Sequence, residues 1–196
     1  TTTPEVGRYE IPVHELYANP KASQSLLDDA DVDMEAWLGS KVGDKLAIDG
    51  PYGLAYLRTA SERDIVCIAG GSGLAPMISI ARGLAANPDM AGRKLHFFYG
   101  GRTTRDICGS DMLAELQGYG ERIVYHPIIS MPEAEPAQQW SGRTGYVHEL
   151  VRDVLGDALP AHEVYFAGPP AMAQAVQRML FDAGVPAAQV HYDAFY

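Results

Sequence analysis

Cysteine is scarce in this sequence: Cys67 and Cys108 are the whole complement among 196 residues. Two thiols cannot supply a disulfide framework, nor the four ligands of a plant-type iron–sulfur cluster. They suit a reducing compartment, and Cys67, inside an apolar run, reads as a small buried side chain. Long apolar runs are missing as well, so no segment reads as a bilayer-spanning helix. No basic-then-apolar leader opens the chain. Thr1-Thr2-Thr3-Pro4 carries no initiator methionine, which leads us to expect a processed or truncated product, placed in the cytoplasm. Basic charge is in short supply: 15 Lys and Arg stand against 25 Asp and Glu, a net charge of −10. That excludes the clustered cations of a nucleic-acid footprint. The deficit is concentrated at the start, where residues 1–50 hold ten of the acidic side chains and four of the basic ones.

Regular patterning is weak over residues 1–40. Pro12, Pro20 and the cluster Asp28-Asp29-Ala30-Asp31-Val32-Asp33 interrupt any period. The cluster lacks EF-hand spacing and a central glycine, and reads as a solvated loop. From Lys41 the patterns sharpen. Lys45-Leu46-Ala47-Ile48 alternates like a strand, and Gly50-Pro51-Tyr52-Gly53 is a turn before Leu54-Ala55-Tyr56-Leu57, so a β-hairpin is expected. A polar stretch from Arg58 to Arg63 marks a boundary between segments 1–57 and 58–196.

Beyond that boundary strands and helices alternate. Strands are expected at Asp64–Ala69, Lys94–Tyr99, Glu121–His126, Glu163–Ala167 and Val190–Asp193. Helices are expected near Ala75–Ala85, Asp106–Leu116, Gly145–Leu155 and Pro169–Ala183. Short apolar strands separated by helices predict an α/β fold, a five-stranded parallel sheet with helices on both faces. Ligands bind such sheets outside the carboxyl ends of the strands. Three of those ends carry glycine: Gly70 to Gly73, Gly100-Gly101 and Gly168. The first, Gly70-Gly71-Ser72-Gly73-Leu74-Ala75-Pro76, is a strand-to-helix turn of the kind that accepts a phosphate on free helical N–H groups. Its spacing differs from the usual dinucleotide fingerprint, because a proline stands where the third glycine would be. A tight connection with no guest is the plainer alternative. Pro169 and Pro170 start a second helix on the same rim.

Six short motifs follow one another in order: Gly50-Pro51-Tyr52-Gly53, Ala69 to Pro76, Phe98-Tyr99-Gly100-Gly101-Arg102, Gly142 to Val147, Gly168-Pro169-Pro170-Ala171-Met172 and His191 to Tyr196. Together they resemble the nucleotide-binding half of the ferredoxin–NADP reductase superfamily, most of all the NADH-dependent reductase components of bacterial aromatic-ring and alkene oxygenases. The resemblance covers about residues 41–196. It implies a Rossmann-like fold and a reductase that passes hydride from NADH to FAD and electrons onward to an iron–sulfur or oxygenase partner. NADH is the expected coenzyme and NADPH the alternative, since Arg102 and Arg105 suit a 2′-phosphate while Asp106 opposes one.

The resemblance also implies roles. Gly71, Ser72 and Gly73 hold the pyrophosphate and the ribose beside it, and Pro76 stiffens the start of the helix. Gly100 lies on the same rim, and Arg102 lies near the adenine ribose. Gly168, Pro169, Pro170 and Met172 line the nicotinamide. Asp193, Phe195 and Tyr196 sit near the reacting rings. Family members commonly place cysteine where this chain has Ala167. The flavin signature arginine–x–tyrosine–serine is absent, and Arg8-Tyr9-Glu10 is a poor substitute. Residues 1–57 are therefore expected to be an incomplete remnant of the flavin-binding barrel, with FAD bound weakly or not at all. The competing reading is a non-catalytic nucleotide-binding or interaction module.

Overall fold

A computed structural model describes residues 7–12, 45–50, 55–134 and 140–192. The chain divides into two compact units, Thr1–Leu54 and Ala55–Tyr196. In the first, β1 (Gly7–Pro12) pairs antiparallel with β2 (Lys45–Gly50), from Gly7 opposite Gly50 to Pro12 opposite Lys45. The expected hairpin partner of Lys45–Ile48 was Leu54–Leu57, and the structure corrects this. Residues 55–57 form no strand, because tertiary contacts claim this stretch. Leu57 packs against the core of the second unit, and the Arg58 N–H donates to the Tyr165 hydroxyl at 2.8 Å. The interrupted sequence before residue 40 hid β1, whose partner is more than thirty residues away.

The second unit is built on six parallel strands. They are β3 (Ile65–Gly70), β4 (Leu95–Gly101), β5 (Ile123–Ile129), β6 (Arg143–Thr144), β7 (Glu163–Ala167) and β8 (Val190–His191), arranged β6-β5-β4-β3-β7-β8. The sixth strand is an addition to the five expected. With two residues bounded by Gly142 and Gly145, β6 is too short to show a period of two. It adds to the edge through Ile128 and Ile129. The main helices are α1 (Leu74–Ala86), α2 (Ser110–Ala114), α3 (Val147–Leu155) and α4 (Pro170–Asp182).

All six residues of β3 are buried, as befits a central parallel strand covered on both faces. Its side chains divide between two cores by simple alternation. Ile65, Cys67 and Ala69 face a core with Met77, Ile78 and Leu84 of α1, Leu113 of α2, and Phe97. Val66 and Ile68 face the other, with Leu150 and Val151 of α3, Val176 and Leu180 of α4, Phe98 and Phe166. Burying each such side chain contributes roughly 1.5–3 kcal/mol. Helix α1 stops at Asn87-Pro88, where the Asn87 side chain accepts from the Asp89 N–H at 3.0 Å. The helix expected over Asp106–Leu116 is shorter, because Gly109 adopts φ +95° and breaks it. A β-carbon there would stand 2.7 Å from Leu74 Cδ1.

Candidate functional site at the carboxyl ends of the strands

The strand order reverses at β3. From it β4, β5 and β6 follow outward on one side, while β7 and β8 lie on the other. Connections leaving β3 and β7 therefore run to opposite faces, and a crevice opens between their carboxyl ends. The sequence makes this crevice from glycine. After β3, Gly71–Gly73 forms one 3₁₀ turn that runs straight into α1. Gly71 has φ +57° with open space around its missing side chain, and both it and Ser72 are exposed. Gly73 is the opposite case: a β-carbon there would lie 2.0 Å from the Ala167 carbonyl oxygen. Backbone thus meets backbone between the turn after β3 and the end of β7, which only glycine permits.

Met172, in the first turn of α4, reaches back over this junction. A β-carbon on Gly70 would stand 2.7 Å from its Sδ and 3.4 Å from the Gly100 carbonyl oxygen; one on Gly168 would stand 2.4 Å from its Cε. Gly100 is in register with Gly70, and its own missing β-carbon faces Val147 at 3.0 Å. Gly70, Gly73, Gly100, Gly168, Pro169 and Met172 are thus gathered at one place. The first turns of α1 and α4 both open there, with the positive ends of their dipoles. Pro76 and Pro170 fall in those first turns, where a missing N–H removes no intrahelical bond.

Arg102 lies farther along the rim, just after β4, with a largely exposed side chain. The Asp106 carboxylate accepts from its backbone N–H at 2.9 Å, from its Nε at 3.4 Å and from the Thr103 N–H at 3.1 Å. Partial burial raises the Asp106 pKa, but the hydrogen bonds from Thr103 and Arg102 outweigh it and the net shift is downward. The group is an anion at neutral pH. Asp106 thereby caps the turn that follows β4, and the spacing Thr103-x-x-Asp106 carries the signature of that role. The motif from Gly142 to Val147 forms β6 and the start of α3. Trp140 Nε1 donates to the Arg143 carbonyl at 2.8 Å, Arg143 is paired with Asp153, and the Tyr146 ring is mostly exposed. Asp193, Phe195 and Tyr196 lie outside the described residues. Tyr192, just before them, stacks on Phe166 with ring centroids 4.6 Å apart.

The oxidoreductase NAD-binding domain family model matches residues 67–178, more than half of the chain. The chain belongs to that family. Residues 1–48, outside this NAD-binding domain, match the phage capsid family model. A ferredoxin–NAD(P)(+) reductase of Metapseudomonas resinovorans is 35% identical over 169 residues, covering 82% of this chain and 46% of the relative. The reductase component of propane 2-monooxygenase from Mycolicibacterium goodii is 35% identical over 158 residues, covering 79% and 44%. Among solved structures, the ferredoxin reductase of carbazole 1,9a-dioxygenase superposes with a TM-score of 0.69 at 32% identity, over 82% of this chain and 46% of that one. The chain therefore spans about half the length of the curated relatives it matches. Among the described residues no helix is long and apolar enough to cross a membrane, and no group of three or more His, Cys, Asp or Glu is placed to hold a metal ion.

Proposed function

We propose that this NAD-binding domain is the NADH-holding half of a reductase that feeds electrons to an oxygenase, either directly or through an iron–sulfur protein. The observation that carries this reading is the convergence of two helix N-termini on a glycine-walled crevice where the strand order reverses. The crevice fits a dinucleotide, since Gly71 leaves its outer side open, with nothing within 4 Å of its missing β-carbon. Gly71, Ser72 and Gly73 would hold the pyrophosphate on backbone N–H groups, with Pro76 fixing the start of α1. Gly100 would form the floor. Gly168, Pro169, Pro170 and Met172 would orient the nicotinamide end, and Arg102 would meet the adenine ribose. When bound, NADH supplies a hydride; the chain's own residues bind, orient and exclude water. Asp193, Phe195 and Tyr196 are proposed to border the reacting rings from the chain's end.

FAD is expected for the family, and its binding motifs are not recognisable in this sequence. The sequence Arg8-Tyr9-Glu10 has glutamate after the tyrosine, where the signature of the resembled family has serine. We derive no step through the flavin. Two readings of the acidic first quarter compete, a degenerate flavin half over residues 1–57 and a segment foreign to the reductase. The capsid-family match over residues 1–48 favours the second. On that reading, removing those residues leaves NADH affinity within twofold.

For the coenzyme we propose NADH over NADPH, because the ionised Asp106 beside Arg102 repels a 2′-phosphate and already occupies part of that guanidinium. A cytoplasmic setting follows from the pool of reduced nicotinamide and from two free thiols. Calorimetric titration with NADH, beside a dye-linked NADH oxidation assay with and without added FAD, tests the proposal. The expected result is NADH binding, with turnover confined to samples that acquire flavin. Binding without turnover under both conditions selects the non-catalytic module, and equal affinity for NADPH refutes the coenzyme preference.

A further inference from the structure

The glycines at 70 and 168 are usually explained by the close approach of a ligand, yet the volume that their side chains would take is held by this chain's own Met172. Its sulfur faces the missing side chain of Gly70 at 2.7 Å, and its methyl faces that of Gly168 at 2.4 Å. The residue belongs to the first turn of α4, and its side chain is half-buried against Phe166 and its neighbours, so one side packs while the other remains open to water. Two carbonyl oxygens border the cradle: that of Gly100 is 3.4 Å from the β-carbon position of Gly70, and that of Gly70 is 3.2 Å from the β-carbon position of Gly168. A thioether tolerates such company because it is apolar, flexible and polarizable. A sulfoxide is larger and polar, and the space beside the two glycines, already filled by the sulfur and methyl, has no room for its oxygen.

We propose that Met172 is the adjustable floor of the coenzyme crevice and a reversible oxidation switch for it. The proposal rests on the reading of that crevice as the NADH site. With sulfur reduced, the side chain lies in the glycine cradle and leaves the space above it to the nicotinamide end. A hydroperoxide oxidises the sulfur by two electrons: the O–O bond breaks, the terminal oxygen bonds to sulfur as the sulfoxide, and the rest departs as water or an alcohol. The enlarged, polar group no longer fits the glycine cradle and projects into the crevice, where it obstructs the coenzyme. Methionine sulfoxide reductase reverses the change. Met77, Met90 and Met179 are buried in the cores, so mild oxidation falls on the outer methionines, of which Met131 is 49% exposed and lies beside Arg102, its N–H donating to the Arg102 carbonyl oxygen at 2.7 Å.

The experiment titrates NADH into the full chain before and after mild hydrogen peroxide, maps sulfoxides by peptide mass spectrometry, and records thermal melting of each sample. We expect NADH affinity to fall at least about tenfold in proportion to sulfoxide at Met172, with melting shifted by only a few degrees and affinity restored by the reductase. A Met172→Leu variant is expected to bind severalfold more weakly than the parent and to keep that affinity through peroxide treatment. The proposal is overturned if protein carrying Met172 sulfoxide binds NADH within twofold of the untreated sample. It is equally overturned if Met172 resists peroxide while Met131 is oxidised, or if the leucine variant loses affinity as the parent does. Absence of NADH binding in the untreated protein defeats the crevice reading itself, an outcome distinct from these.

Discussion

The two ends of the six-stranded sheet are made from different materials. At the carboxyl ends the chain uses glycine, and contacts there run between backbone segments or between backbone and the Met172 thioether. At the amino ends it uses polar side chains that satisfy one another. Glu163, at the start of β7, is 5% exposed and accepts from Ser61 Oγ at 2.8 Å; its other oxygen lies 2.7 Å from Nε2 of buried His191, and Arg63 stands at 3.6 Å. Gln189 donates to the carbonyl oxygens of Pro160 and His162. Asp64 accepts from the Lys94 N–H at 2.8 Å. The difference teaches where the fold stores its stability and where it leaves polar groups for a guest. Donors satisfied internally serve the fold, whereas the positive ends of two helix dipoles face the crevice.

The largest effect should come from breaking the backbone junction of the glycine end. Gly73→Ala puts a β-carbon 2.0 Å from the Ala167 carbonyl oxygen, and no side-chain rotation relieves a clash with backbone. A loss of about 4 kcal/mol or failure to fold is expected, read from the urea midpoint. A variant that unfolds at the parent's midpoint would show that β3 and β7 do not meet in this way. The opposite end breaks differently. Glu163→Ala leaves His191 and Ser61 without their buried acceptor, at a cost of about 3 kcal/mol, while NADH affinity of the folded protein stays put. Glu163→Gln, which keeps an acceptor for Ser61, should cost less than the alanine variant. A fall in NADH affinity in either variant would erase the division between the two ends.

These two ends were not equally legible. The glycine end could be read because its chemistry is written in consecutive residues: Gly70 to Pro76 announces a strand, a turn and a helix, and Gly168 to Met172 does so again. Strand β7 was expected at Glu163–Ala167, the bounds it adopts, since apolar runs flanked by turn residues mark buried strands. The polar end was invisible because its partners are far apart in sequence. Ser61 and Glu163 are 102 residues apart, and Glu163 and His191 are 28 apart, so no local pattern signals their meeting. Met172 fell between the two cases. Its place in a motif was clear, but its position over Gly70 depends on the β3–β7 register. The register of β1 with β2 was missed for the same reason, a long separation bridged by an unpatterned segment.

A smaller effect follows from protonation at the amino end. His96 Nδ1 and His126 Nε2 share a hydrogen bond at 3.1 Å, and the His126 ring stacks on Phe98 with centroids 4.6 Å apart. Burial and then the neighbouring His96 lower the His126 pKa from 6.5 to about 4. Burial, followed by repulsion from His162, lowers that of His96. Between the lowered value and 6.5 the unfolded chain binds more protons than the folded one, so stability is present above that window and is lost as pH falls through it. Because the rings are half-buried, the full linkage is reduced by screening, and a loss of about 1–2 kcal/mol between pH 7 and pH 4.5 is expected. His126→Phe, which keeps the stacking, should flatten the dependence in urea titrations at several pH values. An unchanged slope would mean that other groups set it.

The smallest stability effect, and the sharpest distinction between fold and ligand, belongs to Gly71. Its φ of +57° strains any side chain, but nothing lies within 4 Å of the missing β-carbon. Gly156, at φ +48°, and Gly184, at φ +73°, share both properties and lie away from the crevice, one after α3 and the other after α4. Alanine costs about 1 kcal/mol through a left-handed backbone, and more at Gly156, whose ψ of −129° lies outside the left-handed helical region. If backbone conformation alone were the reason for Gly71, none of the three substitutions would change NADH affinity. If Gly71 is open because a pyrophosphate approaches its backbone, Gly71→Ala also weakens NADH by about tenfold while Gly156→Ala and Gly184→Ala leave the titration alone. Three urea melts and three NADH titrations decide it. Equal NADH affinity in all three would leave the turn after β3 as a tight connection with no guest.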